Sequence, residues 1–187
     1  FVFVNSGQIL TIEAGTVIKG QAGQGTDASA LIVARGGKIM AQGTAANPII
    51  FTAEQDDVTV SDDIPAGANG LWGGVIILGN AGLNSTPGES AIEGIPTTET
   101  RGLYGGSNDA DNSGILSYVS IRYGGTDIGA GNEINGLTFG GVGSATTVDH
   151  IEIINNQDVA ETPGIQAMNN IAADKAGATG DNYHNFF

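Results

Sequence analysis

The stretch NDADNSG, residues 108–114, carries the sharpest chemical signal in the chain. Asp109, Asp111 and Ser113 alternate along it, and Gly114 follows where a sharp turn would close the loop. In a D-x-D-x-S pattern alternate side chains converge on one point, and their oxygens suit a hard cation such as Ca²⁺. These three residues are therefore a candidate calcium loop. A complete EF-hand is excluded, because its twelfth position needs a bidentate Glu and that position here is Ser120, inside a predicted strand. The competing reading is an Asx-rich turn, in which Asp and Asn side chains bond nearby backbone.

Other charged and aromatic residues carry less. Asp56, Asp57, Asp62 and Asp63 in QDDVTVSDD are paired carboxylates of the kind that cleave glycosidic bonds. That chemistry needs a fixed separation, which a polar loop does not impose. Asp127, Asn132 and Glu133 form a second acidic and amide cluster, suited to satisfying backbone in a tight turn or to lining a groove. Arg122 follows the candidate calcium loop and points away from the predicted core, as the base of a calcium-dependent polysaccharide lyase would. Trp72, Tyr104, Tyr118 and Tyr123 have rings that can stack on sugars, but aromatics are only 6% of the chain, and Trp72 and Tyr123 read as packing residues. His150 and His184 have no ligand partners at metal or triad spacing. The glycine runs lack the strand, helix and Lys that a phosphate loop requires. The threonines do not recur in the regular array that ice binding calls for.

Composition excludes further classes. Twenty acidic residues against six basic ones give a net charge of −14. Lys19, Arg35, Lys38, Arg101, Arg122 and Lys175 are scattered, so there is no basic stripe for nucleic acid and no attraction to an anionic membrane. No apolar span approaches the roughly 20 residues of a membrane helix, so a membrane-spanning chain is not expected. The absence of cysteine removes disulfides and Cys-ligated zinc. The opening FVFVNSGQ and the close HNFF read as the ends of a piece of a longer product or assembly.

The elements that must position these residues are short β-runs: 1–4, 9–13, 16–19, 31–35, 38–42, 49–52, 75–78, 116–123, 137–139 and 148–154. Val, Ile, Phe and Thr dominate them, as pleated surfaces favour. Val119, Ile121 and Tyr123 alternate with Ser120 and Arg122, and Ile151 and Ile153 alternate with His150 and Glu152. The run VIIL at 75–78 is apolar throughout, so its outer side must be covered. ILTIEAGTVIKG and KIMAQGTAANPIIFTA both read as strand, turn, strand, with ALIVAR between them as a third strand. Three strands followed by a return to the start describe one coil of a solenoid with a period of roughly thirty residues. Stacked coils would set Ile12 near Met40, Val17 near Ile50 and Val33 near Val75. Each buried aliphatic side chain adds about 1.5–3 kcal/mol, and only stacking buries the inner face.

Glycine makes up 31 of the 187 residues, against roughly 7% in ordinary proteins. Gly15, Gly36, Gly37 and Gly43 fall where corners between coil faces need a left-handed turn or a close backbone approach. A β-sandwich would instead join neighbouring strands by Asn-Gly hairpins, and here each Asn-Gly precedes a single run. Polar insertions at about 54–70 and 79–114 interrupt the coils. From Pro163 onward the spacing of Ile165, Met168, Ile171 and Ala172 predicts a short helix, which could cap the end of the solenoid. The expected organisation is a β-helix over 1–160 and a C-terminal cap or tail over 161–187.

Several stretches, LTIEAGTVIKG, ALIVARGGKIMAQGTAANPIIFTAE, GLWGGVIILGNAGLNSTPGE, AIEGIPTTETRGLYGG, DNSGILSYVSIRYGGTDIGAGNEINGLTFGGVGS and VDHIEIINNQD, cover most of residues 9–158. In them the chain resembles secreted or outer-membrane β-helix proteins of Bacteroidota, which are often exported by type IX secretion. It departs from that pattern after Asp158. The resemblance implies an all-β, right-handed parallel β-helix and an extracellular or outer-membrane surface setting; it implies no established activity. The expected role is a non-catalytic scaffold, adhesin or binding module, with a glycan or a surface protein as partner. The rival is a polysaccharide lyase or glycoside hydrolase, which needs converging carboxylates, or calcium plus Arg, on one β-face.

Overall fold

The computed structural model describes residues 1–129, 132–155 and 183–185. Within them the chain winds through four stacked turns. The first turn carries β1 (Val2–Val4), β2 (Ile9–Ile12) and β3 (Val17–Gly20); the second carries β4 (Ala30–Val33), β5 (Lys38–Gln42) and β6 (Ile49–Ala53). In the third, β7 (Gly74–Leu78) is followed by an excursion holding the short antiparallel pair β8 (Ser90–Ala91) and β9 (Leu103–Tyr104), and the coil resumes at β10 (Gly114–Arg122). A second short antiparallel pair, β11 (Asp127–Gly129) and β12 (Asn132–Glu133), leads into the fourth turn, β13 (Leu137–Gly140) and β14 (Thr147–Ile154). Strand β15 (Tyr183–Asn185) pairs antiparallel with β14. The helix predicted after Pro163 lies outside the described residues.

Every pairing between successive coils is parallel. One face is the sheet β1-β4-β7-β13. The other two faces form one bent sheet, because β10 pairs with β5 through Gly114–Ser117 and with β6 through Val119–Ile121. The bend falls at Tyr118, whose φ is +51°, and again one coil on at His150, whose φ is +48°. This is the parallel β-helix that the strand spacing predicts.

The predicted register is partly corrected. Val17 pairs with Ile50 as expected. Ile12 pairs with Ala41 rather than Met40. Side chains alternate with period two, so a one-residue slip would exchange the two faces. Ala41 is fully buried beside Leu116, while Met40 is half-buried on the outside. Val33 pairs with Ile77, and Leu31 takes Val75. That two-residue shift keeps every side chain on its predicted face.

Val4, Val33, Ile39, Ala41, Ile49, Phe51, Val75, Ile77, Leu116, Val119 and Ile121 fill the tube. Trp72 and Ile64, from the segment between β6 and β7, join the same cluster. Trp72 Nε1 donates to Arg122 O at 2.8 Å, and a β-carbon at Gly20 would overlap the indole, so Gly20 is what lets the ring seat. A second cluster lies outside the tube. Ala30, Ile32, Ile76 and Leu78, on the outer side of the first face, are covered by Ile92 and Ile95 of the excursion after β7, by Ile134, and by the half-buried Phe3 and Tyr104. The all-apolar VIIL run is thus buried on both sides, inward through Val75 and Ile77, outward through Ile76 and Leu78.

Because both sides of β7 are buried, Ile76→Ala and Ile77→Ala should each cost about 2–5 kcal/mol. Urea denaturation checks this. A cost at Ile76 within about 0.5 kcal/mol, the value of an ordinary surface position, would show that the excursion does not cover that side.

Candidate functional site

The turns Asn5–Gln8 and Ala34–Gly37, which follow β1 and β4, stack on one another at one corner of the tube. Ala34 N donates to Val4 O at 3.0 Å, Gly7 N to Gly36 O at 2.9 Å, and Lys38 N to Gln8 O at 3.0 Å. Gly36 takes the left-handed φ of +82° that this turn requires. Arg35 projects from the second turn toward the excursion after β7. Its Nη1 donates to Gly105 O at 2.6 Å and lies 2.7 Å from Glu89 Oε2. The excursion returns across the corner through a 3₁₀ turn at Thr100–Gly102. Arg101 of that turn sits 3.9 Å above the Phe3 ring and pairs with Glu99 through Nε (2.7 Å) and Nη2 (2.5 Å). Between the stacked turns and the 3₁₀ turn lies a shallow, half-open cavity of about 450 Å³ lined by Asn5, Ser6, Ala34, Arg35, Thr100 and Arg101.

The candidate calcium residues lie in the excursion's last segment, where it rejoins the coil. Asp109 Oδ1 accepts from Gly82 N at 2.9 Å, and Asp111 Oδ2 accepts from Asn80 N at 3.2 Å and lies 3.3 Å from Ser113 Oγ. Ser113 N donates to Thr146 Oγ1, and Gly114 N to Asn112 Oδ1. Asp111 and Ser113 are buried and Asp109 is exposed. The structure thus brings Asp111 and Ser113 together and uses both carboxylates to tie the two ends of the excursion. Among the described residues no group of three or more His, Cys, Asp or Glu side chains is placed to hold a metal ion.

The loop carboxylates after β6 act singly. Asp56 is buried and accepts from Thr52 Oγ1. Asp57 accepts from Thr59 N and Oγ1, which holds its carboxyl below the usual range, and Asp63 accepts from Asp57 N. The side chains of Asp127, Asn132 and Glu133 lie outside the described residues. Arg122 does point away from the core, but its Nε donates to Ser120 Oγ at 3.0 Å, and Ser120 Oγ donates to Glu152 Oε2 at 2.7 Å.

Strand alternation gives no sign of one cluster, at the bend of β10 and β14. Tyr118 and His150 stack with centroids 4.1 Å apart and planes at 14°. Asp149 Oδ1 accepts from Ser117 Oγ and lies 3.1 Å from His150 Nδ1, and these two bonds, the serine's first, hold the Asp149 carboxyl below its ordinary value. Serine, carboxylate and imidazole meet here in the wrong order for a triad. The carboxylate stands between the other two, so the imidazole is not placed to take the serine proton. The recurrence of Tyr118 and His150 one coil apart was the available signal.

Stacked parallel coils carrying a folded excursion define a β-helix domain. Residues 1–161 match the family model of the pectate-lyase like beta helix domain, and the chain belongs to that family. No curated protein and no solved structure matches it.

Two outcomes follow from the geometry. Asp111→Ala should lower stability by about 1–3 kcal/mol in buffer containing a chelator, since it strands buried donors; a loss of stability that appears only with calcium present would assign this carboxylate to an ion instead. Glu99, bonded by the Arg101 side chain and main chain, is pulled from 4.5 to about 2. A depressed carboxylate contributes its stabilisation above its unfolded value and loses it as pH falls through the folded value. A ¹³C titration of the side-chain carboxyls should therefore find Glu99 ionised well below pH 4 in the native protein and shifted upward toward its ordinary value in Arg101→Ala, which removes the side-chain bonds and keeps the main-chain one.

Proposed function

We propose that the protein is a non-catalytic, exported β-helix that presents a binding surface for a glycan or a surface protein, with the excursion after β7 forming the recognition site. The observation that carries this reading is where the charged side chains go. Among the described residues, loop carboxylates bond to main-chain N–H groups and to neighbouring hydroxyls and guanidinium groups, and no three His, Cys, Asp or Glu side chains gather at one point. A glycosidase acid needs a raised pKa, and hydrogen bonds move Asp57, Glu99 and Asp149 the other way, so these three are not suited to that role. Arg122 is held by Ser120 and lacks an adjoining acidic cluster for calcium among the described residues.

Support for export is the resemblance to secreted Bacteroidota β-helices over most of residues 9–158. The family description names pectate lyases, so polysaccharide cleavage is the activity to test against.

Incubation with acidic and neutral polysaccharides, with calcium and with chelator, should leave chain length unchanged by size-exclusion chromatography and release no unsaturated or reducing ends. Calcium-dependent depolymerisation would overturn the proposal.

A further inference from the structure

We propose that the cavity between the stacked turns and the 3₁₀ turn binds a tetrahedral oxyanion, a sulfate or phosphate ester, carried on a sugar-sized ligand. This names a ligand for the recognition site of the preceding reading, and rests on that reading for the site's role as a binding surface.

Charge distribution is the first argument. The chain has six Lys and Arg residues and a net charge of −14, yet Arg35 and Arg101 both line this one cavity. They come from segments far apart in sequence and are brought together only by the excursion folding back over the corner. Each is fixed in place: Arg35 by Gly105 O, Arg101 by the Phe3 ring and by Glu99. A guanidinium held this way loses little freedom when it binds.

Spare donors are the second. Arg35 uses only Nη1, and Arg101 uses Nε and Nη2. Among the described residues that leaves Nε and Nη2 of Arg35 and Nη1 of Arg101 for a ligand. Asn5, Ser6 and Thr100 add an amide and two hydroxyls. A planar carboxylate matches one fork, and Glu99 already meets Arg101 in that way. Donors from two separate guanidinium groups plus hydroxyls are better met by a tetrahedral group, whose oxygens point in several directions. A volume of about 450 Å³ holds a sugar ring, whose hydroxyls the amide and hydroxyl groups can bond.

Glu89 tunes the site. It pairs with Arg35 Nη1 at 2.7 Å, and its side chain is 48% exposed, so an incoming anion competes with it for the same guanidinium. Removing its charge should tighten binding, the opposite of what removing a ligand-contacting group does.

Isothermal titration of the intact chain with galactose 6-sulfate, galactose 6-phosphate, galacturonate and galactose tests this. The expected result is binding of one or both esters, at least about tenfold weaker binding of galacturonate, and none of galactose; the sulfate and phosphate arms identify the source of the oxyanion. Arg101→Ala and Arg35→Lys should each weaken ester binding by about tenfold or more, with circular dichroism unchanged. Arg35→Lys keeps a cation to hold Gly105 O and loses only the fork. Glu89→Gln should tighten binding by about three- to tenfold, and Arg122→Ala, outside the cavity, should leave it unchanged. No binding of either ester, equal affinity for galacturonate, or wild-type affinity in both arginine variants would overturn the proposal. Polysaccharide cleavage accompanied by arginine-dependent ester binding would defeat only the non-catalytic reading.

Discussion

In-register parallel stacking is the constraint on which the rest of this protein depends. Strands hydrogen-bond to their counterparts in neighbouring coils, so inward positions of the coils fall in shared columns. Leu31, Val75 and Leu137 make one column, and Val4, Val33, Ile77 and Phe139 another. A slip of one residue in any coil would turn its aliphatic side chains to the outside, and the neighbouring coils would lose their packing partners too. The register therefore has few alternatives, and the columns locate everything attached to the coils.

That constraint also decides where the chain turns. Tyr118 and His150 occupy the same corner in successive coils, and Tyr123 and Asn155, with φ of +57° and +48°, occupy the next. Non-glycine residues in the left-handed region are uncommon, and each carries a local cost. At Tyr118 and His150 the strand segments are paired on both sides of the bend, so that corner must adopt whatever angle joins them. The Tyr118–His150 stack recovers part of that cost, because repeated geometry places the two rings face to face.

The excursion after β7 turns a plain solenoid into something with a site. Its Ile92 and Ile95 bury the outer side of the first sheet, which otherwise would expose Ile32, Ile76 and Leu78. Two polar clamps hold it: Asp109 and Asp111 where it leaves and rejoins the coil, and Arg35 with Glu89 and Gly105 at the far corner. Covering an apolar face and building the Arg35–Arg101 cavity are thus one folding event. The surface salt bridges involved add little stability individually; their role is to fix direction.

The amino-acid order alone determined the coil architecture, because short β-branched runs separated by glycine corners can bury themselves only by stacking. It also determined that VIIL would be covered, since no single-sided strand is apolar at four positions in a row. The pairing of Ile12 with Ala41 was within its reach, because strand alternation sets Met40 on the face of Lys38 and Gln42 and Ala41 on the face of Ile39. The bends at Tyr118 and His150 were hidden, as nothing in either residue type demands a positive φ. The candidate calcium residues were legible as a tight Asp-rich segment, but the donors that engage Asp109 and Asp111 come from Gly82 and Asn80, some thirty positions earlier. The cavity lay furthest from sight. Asn5, Arg35 and Arg101 share no motif, and they meet because a loop returns across a corner to bury isoleucines, a choice made by apolar contact in three dimensions.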